Sequence, residues 1–203
     1  MDMNKTLDYY NVNAKNFIET TQKVIFSETQ DTFLSCIPDS ATILDFGCGS
    51  GRDTAYFLEK GYKVDAVDGS YEMCKAASQY TGIDVKQMLF AELNADGIYD
   101  GIWACSSVLH LPKNELKEVL SRMEKALKTK GVIYMSFKYG TFEGERNGRY
   151  FTDFTEGSFQ DFLRSFPRLE IDRLWITGDV RPGREAEKWL NVLLNKKRLK
   201  EKG

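Results

Sequence analysis

The chain has 203 residues, of which 42% are hydrophobic, and its formal net charge at neutral pH is −2. This size suits one domain with a sizeable core, and the near-neutral charge argues against electrostatic binding to long nucleic acid. The first residues lack the pattern of a signal peptide, and no apolar run approaches the roughly 20 residues of a membrane span. We therefore expect a soluble, cytoplasmic chain that has no membrane partner.

The four cysteines form no CxxC pair and lie in or beside apolar runs. Cysteines in such a pattern are typical of reduced, mostly buried thiols in a cytoplasmic protein. We therefore expect neither a disulfide nor a bound metal at Cys36, Cys48, Cys74 or Cys105. The basic end of the chain, residues 196–203, is predicted to be a solvated tail.

Strand-like apolar runs alternate with helical patterns along the chain. The predicted strands cover residues 42–46, 62–68, 85–90, 99–106, 131–138, 169–176 and 189–194. The predicted helices are RDTAYFLEK, YEMCKAASQY, KNELKEVLSRMEKALK and EGSFQDFLRSF, the last capped by Thr155 or Asp153. This alternation predicts an α/β fold with a doubly wound, mostly parallel sheet. About 12 residues separate the last two strands, too few for a helical crossover, so we expect the last strand to be antiparallel.

The segment ILDFGCGSGRDT, residues 43–54, joins the first strand to the first helix of this sheet. Ligands of doubly wound sheets bind beyond the carboxyl ends of the strands, and glycines let a ligand approach the main chain there. The dinucleotide pattern GxGxxG fails, because Arg52 or Thr54 stands where the third glycine is needed. A carboxylate at Asp45 would repel a pyrophosphate and attract a cation. The loop therefore favours S-adenosylmethionine, whose sulfonium is cationic.

These residues resemble the class I S-adenosylmethionine-dependent methyltransferases, whose first motif is matched by Asp45, Gly47, Gly49 and Gly51. A second match is VDAVDGS, in which Asp68 ends the second strand, 19 residues after Gly49. The resemblance implies that this carboxylate binds both ribose hydroxyls of the cofactor. Within the family, the chain is most similar to small bacterial tellurite-resistance-like methyltransferases.

The resemblance also implies a Rossmann-like sheet of seven strands and a set of cofactor contacts. The segment YDGIWACSSVLHLP resembles the family's fourth strand and the loop under the methionine end of the cofactor. The resemblance implies adenine recognition at Phe90, Ala91 and Glu92 after the third strand, mostly through backbone and apolar contacts, although simple exposure is the alternative for Glu92. The implied contacts, with the first motif, are Asp45, Gly47, Cys48, Gly49, Gly51, Arg52, Asp68, Gly69, Phe90, Ala91, Cys105 and Ser106.

We expect residues 1–203 to form a single domain. Residues 1–40 would be a helical lid, with Tyr10 or Phe17 over the cofactor, although ordinary surface packing explains this segment nearly as well. Residues 41–138 would bind the cofactor, and residues 139–195 would form the substrate side.

His110 is the only histidine of the chain and lies in the apolar context VLHLP. This context favours a structural role, and the alternative is a catalytic role as a general base. A tyrosine or bulk water could also take the acceptor's proton. Methyl transfer depends chiefly on proximity, alignment and exclusion of water, so the sequence does not need an obvious base.

Five cationic residues lie in the loops expected to open onto the methyl-transfer crevice, namely Lys138, Arg146, Arg149, Arg181 and Arg184. Converging guanidinium groups would bind a carboxylate, a phosphate or another oxyanion, so we expect a small, anionic acceptor. The alternative is that these residues form surface salt bridges with Glu143, Glu145, Asp179, Glu185 and Glu187.

Three function classes follow from the residues and the resemblance. A methyltransferase acting on a small molecule leads, because the chain shows no broad basic surface for RNA or protein. The chain also lacks [DNS]PPY after the fourth strand and a Pro-Cys nucleophile, which disfavours methylation of nucleic-acid bases. A methyltransferase acting on RNA or protein and a non-catalytic cofactor-binding module are the alternatives. We expect a monomer or a homodimer.

Overall fold

A computed structural model describes residues 3–184 and 186–198 of the chain. The described strands are β1 (Thr42–Phe46), β2 (Lys63–Asp68), β3 (Lys86–Gln87), β4 (Tyr99–Ala104), β5 (Leu127–Lys138), β6 (Glu143–Arg146), β7 (Arg149–Thr152), β8 (Leu169–Gly178) and β9 (Lys188–Lys196). The described helices are α1 (Met3–Val12), α2 (Ala14–Thr21), α3 (Ser27–Leu34), α4 (Arg52–Glu59), α5 (Tyr71–Thr81), α6 (Lys113–Ala126) and α7 (Glu156–Leu163).

Seven strands form one sheet in the order β3-β2-β1-β4-β5-β9-β8. The five strands from β3 to β5 are parallel, whereas β9 is antiparallel to both β5 and β8. The predicted mostly parallel sheet of seven strands with an antiparallel last strand is therefore confirmed. The strand order reverses at β1, because β2 lies on one side of β1 and β4 lies on the other. A crevice forms at such a point beyond the carboxyl ends of the strands.

The central strands of the sheet are buried on both faces. Alternate residues of β5 point to opposite sides, because side chains alternate along a strand. Ile133 and Met135 belong to a core that includes residues of α6 and α7, whereas Tyr134 packs in a second core with Phe33 of α3 and Phe57 of α4. Helices on both faces explain why the central strands read as continuous apolar runs.

Several predicted boundaries are wrong, among them those of the third and fifth strands. The third strand was predicted over residues 85–90 but spans only Lys86–Gln87, and residues 90–92 form a turn of 3₁₀ helix. The fifth strand begins at Leu127 instead of 131, since the last residues of KNELKEVLSRMEKALK extend the strand. Apolar runs beside a sheet edge or a helix end have no period that separates the two states.

The segment after β5 contains a two-stranded hairpin that the sequence analysis missed. Strands β6 and β7 pair antiparallel outside the main sheet. The prediction that Thr155 caps the next helix is confirmed, because its side chain accepts a hydrogen bond from the Ser158 N–H. Asp153 is not the cap, since its carboxylate instead accepts two hydrogen bonds from Arg146.

The four cysteines have free thiols in the structure. Cys48 and Cys74 are buried, but Cys36 is exposed, so the expectation of mostly buried thiols fails at this position. Among residues 3–184 and 186–198, the helices are too short or too polar to cross a membrane.

Candidate functional site

A cavity of about 220 Å³ opens beyond the carboxyl ends of β1, β2 and β4. Its floor is the loop between β1 and α4, and α1 and α2 lie along it through Tyr10 and Phe17. The far wall comes from the segments that follow β5 and β8. The predicted site residues that line this cavity are Gly47, Cys48, Gly49, Arg52, Asp68, Gly69, Phe90, Cys105, Ser106, His110, Lys138, Arg149, Arg181 and Arg184.

The glycine loop uses backbone conformations that other residues rarely adopt. Gly47, Gly49 and Gly51 have φ angles of 89°, 54° and 79°. A Cβ on Gly47 would lie 2.4 Å from Cβ of Ser107, and a Cβ on Gly51 would lie 3.1 Å from Cβ of Ala77. Gly51 therefore allows α4 to begin close to α5 and does not line the cavity, which corrects its predicted place.

Asp68 is the acidic group of this half of the cavity. One carboxylate oxygen accepts a hydrogen bond from the Gly49 N–H at 2.9 Å, and the other accepts one from the Ser70 N–H at 2.8 Å. Burial raises the pKa of Asp68, while these backbone hydrogen bonds oppose the rise. Because each carboxylate oxygen has two lone pairs, each can still accept a hydrogen from a ligand hydroxyl.

Apolar side chains continue the cavity beside Asp68. Phe90 lies at the edge of the glycine loop, and its ring meets that of Phe46 at a centroid distance of 4.8 Å. Ala91 is exposed and does not line the cavity, and Glu92 uses its carboxylate to accept a hydrogen bond from the Leu89 N–H. Of the three residues expected to contact adenine, only Phe90 therefore reaches the cavity.

Arg52 is held in the cavity wall by its neighbour Asp53. The guanidinium donates to both oxygens of Asp53, at 2.7 and 2.9 Å, and lies 4.7 Å from the ring centroid of Phe26. Asp53 also accepts hydrogen bonds from Gln30 and Trp103, so Arg52 is fixed by a fully hydrogen-bonded acid. Such an arrangement orients a cation toward the cavity without leaving the acid unpaired.

Asp45 lies behind the glycine loop and not on the cavity. It is only 2% exposed and accepts a hydrogen bond from the Thr54 hydroxyl at 2.5 Å. Burial and the nearby Asp53 raise the pKa of Asp45 well above its usual range. The expectation that Asp45 attracts a cationic ligand directly is therefore corrected, because its carboxyl helps to fix the loop instead.

Cys105 and Ser106 border the cavity at the end of β4. Burial, with Asp53 nearby, raises the pKa of the Cys105 thiol to about 12, so it stays protonated. Ser106 adopts a φ of 53°, an uncommon conformation for a residue other than glycine, and its N–H donates to the Ser136 hydroxyl. These residues form a neutral, polar surface opposite the glycine loop.

His110 connects α1 to the substrate side. Its Nε2 lies 2.8 Å from the hydroxyl of Tyr10, and its Nδ1 lies 2.6 Å from the main-chain oxygen of Tyr150. Burial, together with the guanidinium groups of Arg149 and Arg146, lowers the pKa of His110 to about 4. The imidazole is therefore neutral at physiological pH.

Four of the five predicted substrate-binding cations are paired with acids. Arg181 donates to Asp179, which also accepts from Lys138, and Lys138 contacts Glu187 as well. Arg184 lies 3.7 Å from Glu187. Burial opposes ionisation of Asp179, but the hydrogen bonds from Arg181 outweigh it and hold its pKa well below the usual range.

Arg146 is paired outside the cavity, and its predicted contact with substrate is therefore corrected. Both of its terminal nitrogens donate to Asp153, at 2.9 and 2.8 Å. Arg149, three residues later on β7, lines the cavity and has no carboxylate within salt-bridge distance among the residues that the structure describes. Glu185, one of the expected surface partners, lies outside the described residues.

Several residues that line the cavity were not predicted as site residues from the sequence. They include Thr6, Leu7, Phe26, Met73, Met88, Trp189 and Asn191. Asp53 could have been found, because an acid next to Arg52 is a ready partner. The others are apolar or neutral side chains, most of them on helices and strands, whose patterns equally fit an ordinary core. Only tertiary packing brings these residues close to the glycine loop, so the sequence alone does not reveal them.

Residues 43–131 match the family model described as "Methyltransferase domain". YqeM of Bacillus subtilis (strain 168), named as a methyltransferase, is 29% identical over 114 residues, which are 50% of this chain and 46% of YqeM. The 2-methyl-6-phytyl-1,4-hydroquinone methyltransferase of Synechocystis sp. is 27% identical over 132 residues, which are 61% of this chain and 40% of that enzyme. The matches thus cover less than half the length of each relative.

The fold is similar to that of 1,6-didemethyltoxoflavin-N1-methyltransferase of Burkholderia thailandensis, solved with bound 1,6-didemethyltoxoflavin and S-adenosylhomocysteine. The TM-score is 0.72, the sequences are 22% identical, and the superposition covers 94% of this chain and 90% of that one. The family match, this fold and the cavity above the glycine loop agree. Residues 43–131 are thus similar to a methyltransferase domain, and the chain has the Rossmann-like methyltransferase fold.

Proposed function

We propose that the protein binds S-adenosylmethionine in this cavity and catalyses methylation of an oxygen, nitrogen or sulfur atom of a small, anionic molecule. The observation that carries the proposal is the Asp68 carboxylate, which faces the cavity beside the glycine loop and keeps lone pairs for two ligand hydroxyls. When bound, S-adenosylmethionine supplies a methyl group that its sulfonium already activates, and S-adenosylhomocysteine is the product.

The residues around Asp68 fit the other parts of the cofactor. Phe90 and Met88 offer apolar contacts for a purine, and Arg52 offers a guanidinium for a carboxylate. Cys105 and Ser106 would border the methionine portion. Gly47, Cys48, Gly49 and Gly69 complete the cofactor contacts that we propose on this side.

Catalysis requires that the acceptor be aligned and that water be kept out. Tyr10 and Phe17, whose rings meet edge to face at 5.3 Å, cover the cavity from the N-terminal helices and would exclude water. On the opposite side, Arg149 offers an acceptor anion a cation that has no carboxylate partner in the described part of the chain. His110 holds these parts together, and we propose it as the group that receives the acceptor's proton.

Two alternatives stay open to test. A methyltransferase acting on RNA or protein would need a recognition surface, and the cations of the substrate side are mostly paired with acids. A non-catalytic module would bind the cofactor without turnover, and a fold alone does not decide between them. A cytoplasmic location, a monomeric or homodimeric state and the narrower likeness to tellurite-resistance-like enzymes stay predictions.

The first test is calorimetric binding of S-adenosylmethionine and S-adenosylhomocysteine to the Asp68→Ala variant. We expect micromolar affinity for the parent and a loss of roughly 10-fold or more in the variant, because a charged acceptor of two hydrogen bonds disappears. Asp65→Asn is the matched control, since it removes an acid from the same strand at an exposed position outside the cavity. Equal affinity of parent and Asp68→Ala, or equal competition by NAD, contradicts the cofactor assignment.

The second test measures S-adenosylhomocysteine formation with panels of carboxylates, phosphates, phenols, thiols and metalloid oxyanions. Turnover with any small anion supports the proposed function. Turnover only with RNA or a protein would establish the first alternative, and tight cofactor binding without turnover on any class would establish the second.

A further inference from the structure

The hydroxyl of Tyr10 lies between two functional groups of the substrate side. It is 2.8 Å from Nε2 of His110 and 3.3 Å from a terminal nitrogen of Arg149, and Nδ1 of His110 is 2.6 Å from the Tyr150 main-chain oxygen. A carbonyl oxygen only accepts, so Nδ1 of the neutral ring carries the hydrogen and Nε2 accepts. Tyr10 therefore donates to His110, and Arg149 donates to Tyr10.

Arg149 is the cation of this wall that has no acid partner among residues 3–184 and 186–198. Its guanidinium is held by aromatic rings, 4.4 Å from the Tyr9 centroid and 5.1 Å from that of Phe151. Its Nε–H is buried without a hydrogen-bond partner in the part of the chain that the structure describes. A guanidinium has five N–H donors, and a partly buried charge without an acid is stabilised when a ligand neutralises it. The cavity on which Arg149 opens is where such a ligand would bind.

We propose that Arg149 is the binding site for the anionic group of the methyl acceptor, and that Tyr10 and His110 form the path that takes the acceptor's proton. This inference rests on the proposed function and deepens it. It narrows the five cations expected from the sequence to one anchor, and it gives the lone histidine a partner in the proton transfer.

The proposed methyl transfer applies to an acceptor whose reacting atom carries a hydrogen. The acceptor atom keeps the electron pair of its bond to hydrogen and uses it to bond the methyl carbon, while the carbon–sulfur electron pair stays on sulfur. The acceptor's proton passes to the Tyr10 oxygen as the Tyr10 phenolic proton passes to Nε2 of His110. The positive charge of the sulfonium thus ends on the imidazolium, which later loses its proton to solvent.

The negative charge of the bound acceptor favours proton transfer to His110. The charged and titratable groups that act on His110 are Tyr10 of α1, Arg149 of β7 and Arg146 of β6, and besides burial the two guanidinium groups hold its pKa low. An anion bound to Arg149 opposes those two positive charges and therefore favours the imidazolium. A neutral analogue would occupy the same space without this effect, so the site would select anions at the chemical step as well as in binding.

The single histidine makes the test direct, because one set of ring signals in an NMR titration reports His110 without assignment. The probes are benzoate, acetate and inorganic phosphate, with benzamide as the neutral control. In the full chain we expect at least one anion to raise the pKa of His110 by roughly one unit, and benzamide to leave it unchanged. Arg149→Gln should raise the resting pKa and abolish the response. Arg164→Gln, which removes an exposed cation outside the cavity, should respond like the parent.

Tyr10→Phe tests the path while keeping the ring contacts of Tyr10. We expect this variant to retain anion binding at Arg149 and, once an acceptor is known, to lower kcat by roughly 10-fold or more with KM nearly unchanged. Its pH profile should lose the limb that reports His110.

Two results overturn the inference. One is that none of the three anions shifts the His110 titration in the parent, and the other is that Arg149→Gln responds as the parent does. Calorimetry with S-adenosylhomocysteine on the same samples separates this failure from failure of the proposed function. Cofactor binding without an anion response removes only the Arg149 site. An anion response without cofactor binding removes the methyltransferase proposal, and Arg149 then stands as an anion site that binds no methyl acceptor.

Discussion

At the scale of single residues, His110 makes the stability of the protein depend on pH. Its pKa is about 4 in the folded protein, below the roughly 6.5 of an unfolded chain, because the ring is buried beside Arg149 and Arg146. Between these values the unfolded state binds more protons, so stability is full above about pH 6.5 and is lost as the pH falls toward 4. The loss from this residue alone is up to about 3 kcal/mol.

The measurement is urea unfolding of the parent and of His110→Gln at several pH values between about 4 and 8. The parent should lose stability toward acid more steeply than the variant, which lacks the titrating ring. Parallel stability curves for the two proteins would show that His110 does not titrate on unfolding as proposed.

Gly49 gives a second prediction for a single position. Its φ of 54° strains any branched side chain, and a Cβ would stand 3.4 Å from the Phe17 ring on the cavity side. We expect Gly49→Val to abolish cofactor binding while lowering the free energy of unfolding by only about 1–2 kcal/mol. Gly61→Val is the matched control, because its φ of 86° brings similar strain and a Cβ there meets nothing within 4 Å.

Calorimetry gives the affinity of both glycine variants, and circular dichroism gives their folding. If Gly49→Val is folded and binds the cofactor as tightly as Gly61→Val does, the loop is only a turn. The assignment of the cofactor to this loop would then be wrong.

The sequence indicated the residues of the glycine loop and Asp68 because their chemistry is local: a turn, a close approach and a strand end. It misjudged Asp45, since a strand-end acid looks available to a ligand until packing buries it against Thr54. It likewise could not separate Arg149 from Arg146. Both lie on the same hairpin, and only the tertiary fold gives Arg146 the partner Asp153.

At the scale of secondary-structure elements, α1 bridges the two sides of the cavity. Tyr10 contacts His110 on the substrate side, whereas the Asn11 side chain accepts a hydrogen bond of 2.6 Å from the Ser70 hydroxyl, which caps α5 on the cofactor side. We expect Asn11→Ala to speed hydrogen exchange of α1 and to weaken S-adenosylhomocysteine binding by roughly 3- to 10-fold, the worth of about one hydrogen bond.

Exchange should be measured by mass spectrometry with and without S-adenosylhomocysteine. Asn16→Ala on α2, an exposed asparagine outside the cavity, is the control. Protection of α1 that does not depend on the cofactor, and an Asn11→Ala variant that matches the parent, would mean that α1 is ordinary surface packing.

Helices and strands were predictable from the sequence where the segment with a regular hydrophobic pattern was long. The central strands and the four predicted helices appear in the structure, whereas the β6–β7 hairpin was missed. Its strands have four residues each and contain a glycine and several charges, so they carry no clear alternation. The hairpin is held by contacts with α1 and with residues 108–110, which are distant in sequence.

At the scale of the whole molecule, the net charge argues against the alternative that the protein is a methyltransferase acting on RNA. The net charge is −2, and most cations near the cavity mouth are paired with acids. We expect no binding to tRNA or duplex DNA near physiological salt, measured by filter retention, with a lysine-rich nucleic-acid-binding protein as positive control. Tight retention whose log affinity falls linearly with log salt would mean that a basic face recognises phosphates, and would favour the RNA alternative.

The position of β9 has a consequence for how the protein is made. This strand, Lys188–Lys196, is among the last described residues, yet it lies inside the sheet between β5 and β8. Until the ribosome has released it, β5 has an open edge and β8 has no neighbour, so the nascent chain presents unpaired apolar strands. The cavity wall formed by residues 177–181, 184 and 189 likewise awaits this strand. Folding of the substrate side therefore waits until β9 has left the ribosome, while the glycine loop and Asp68, more than a hundred residues earlier, leave it well before.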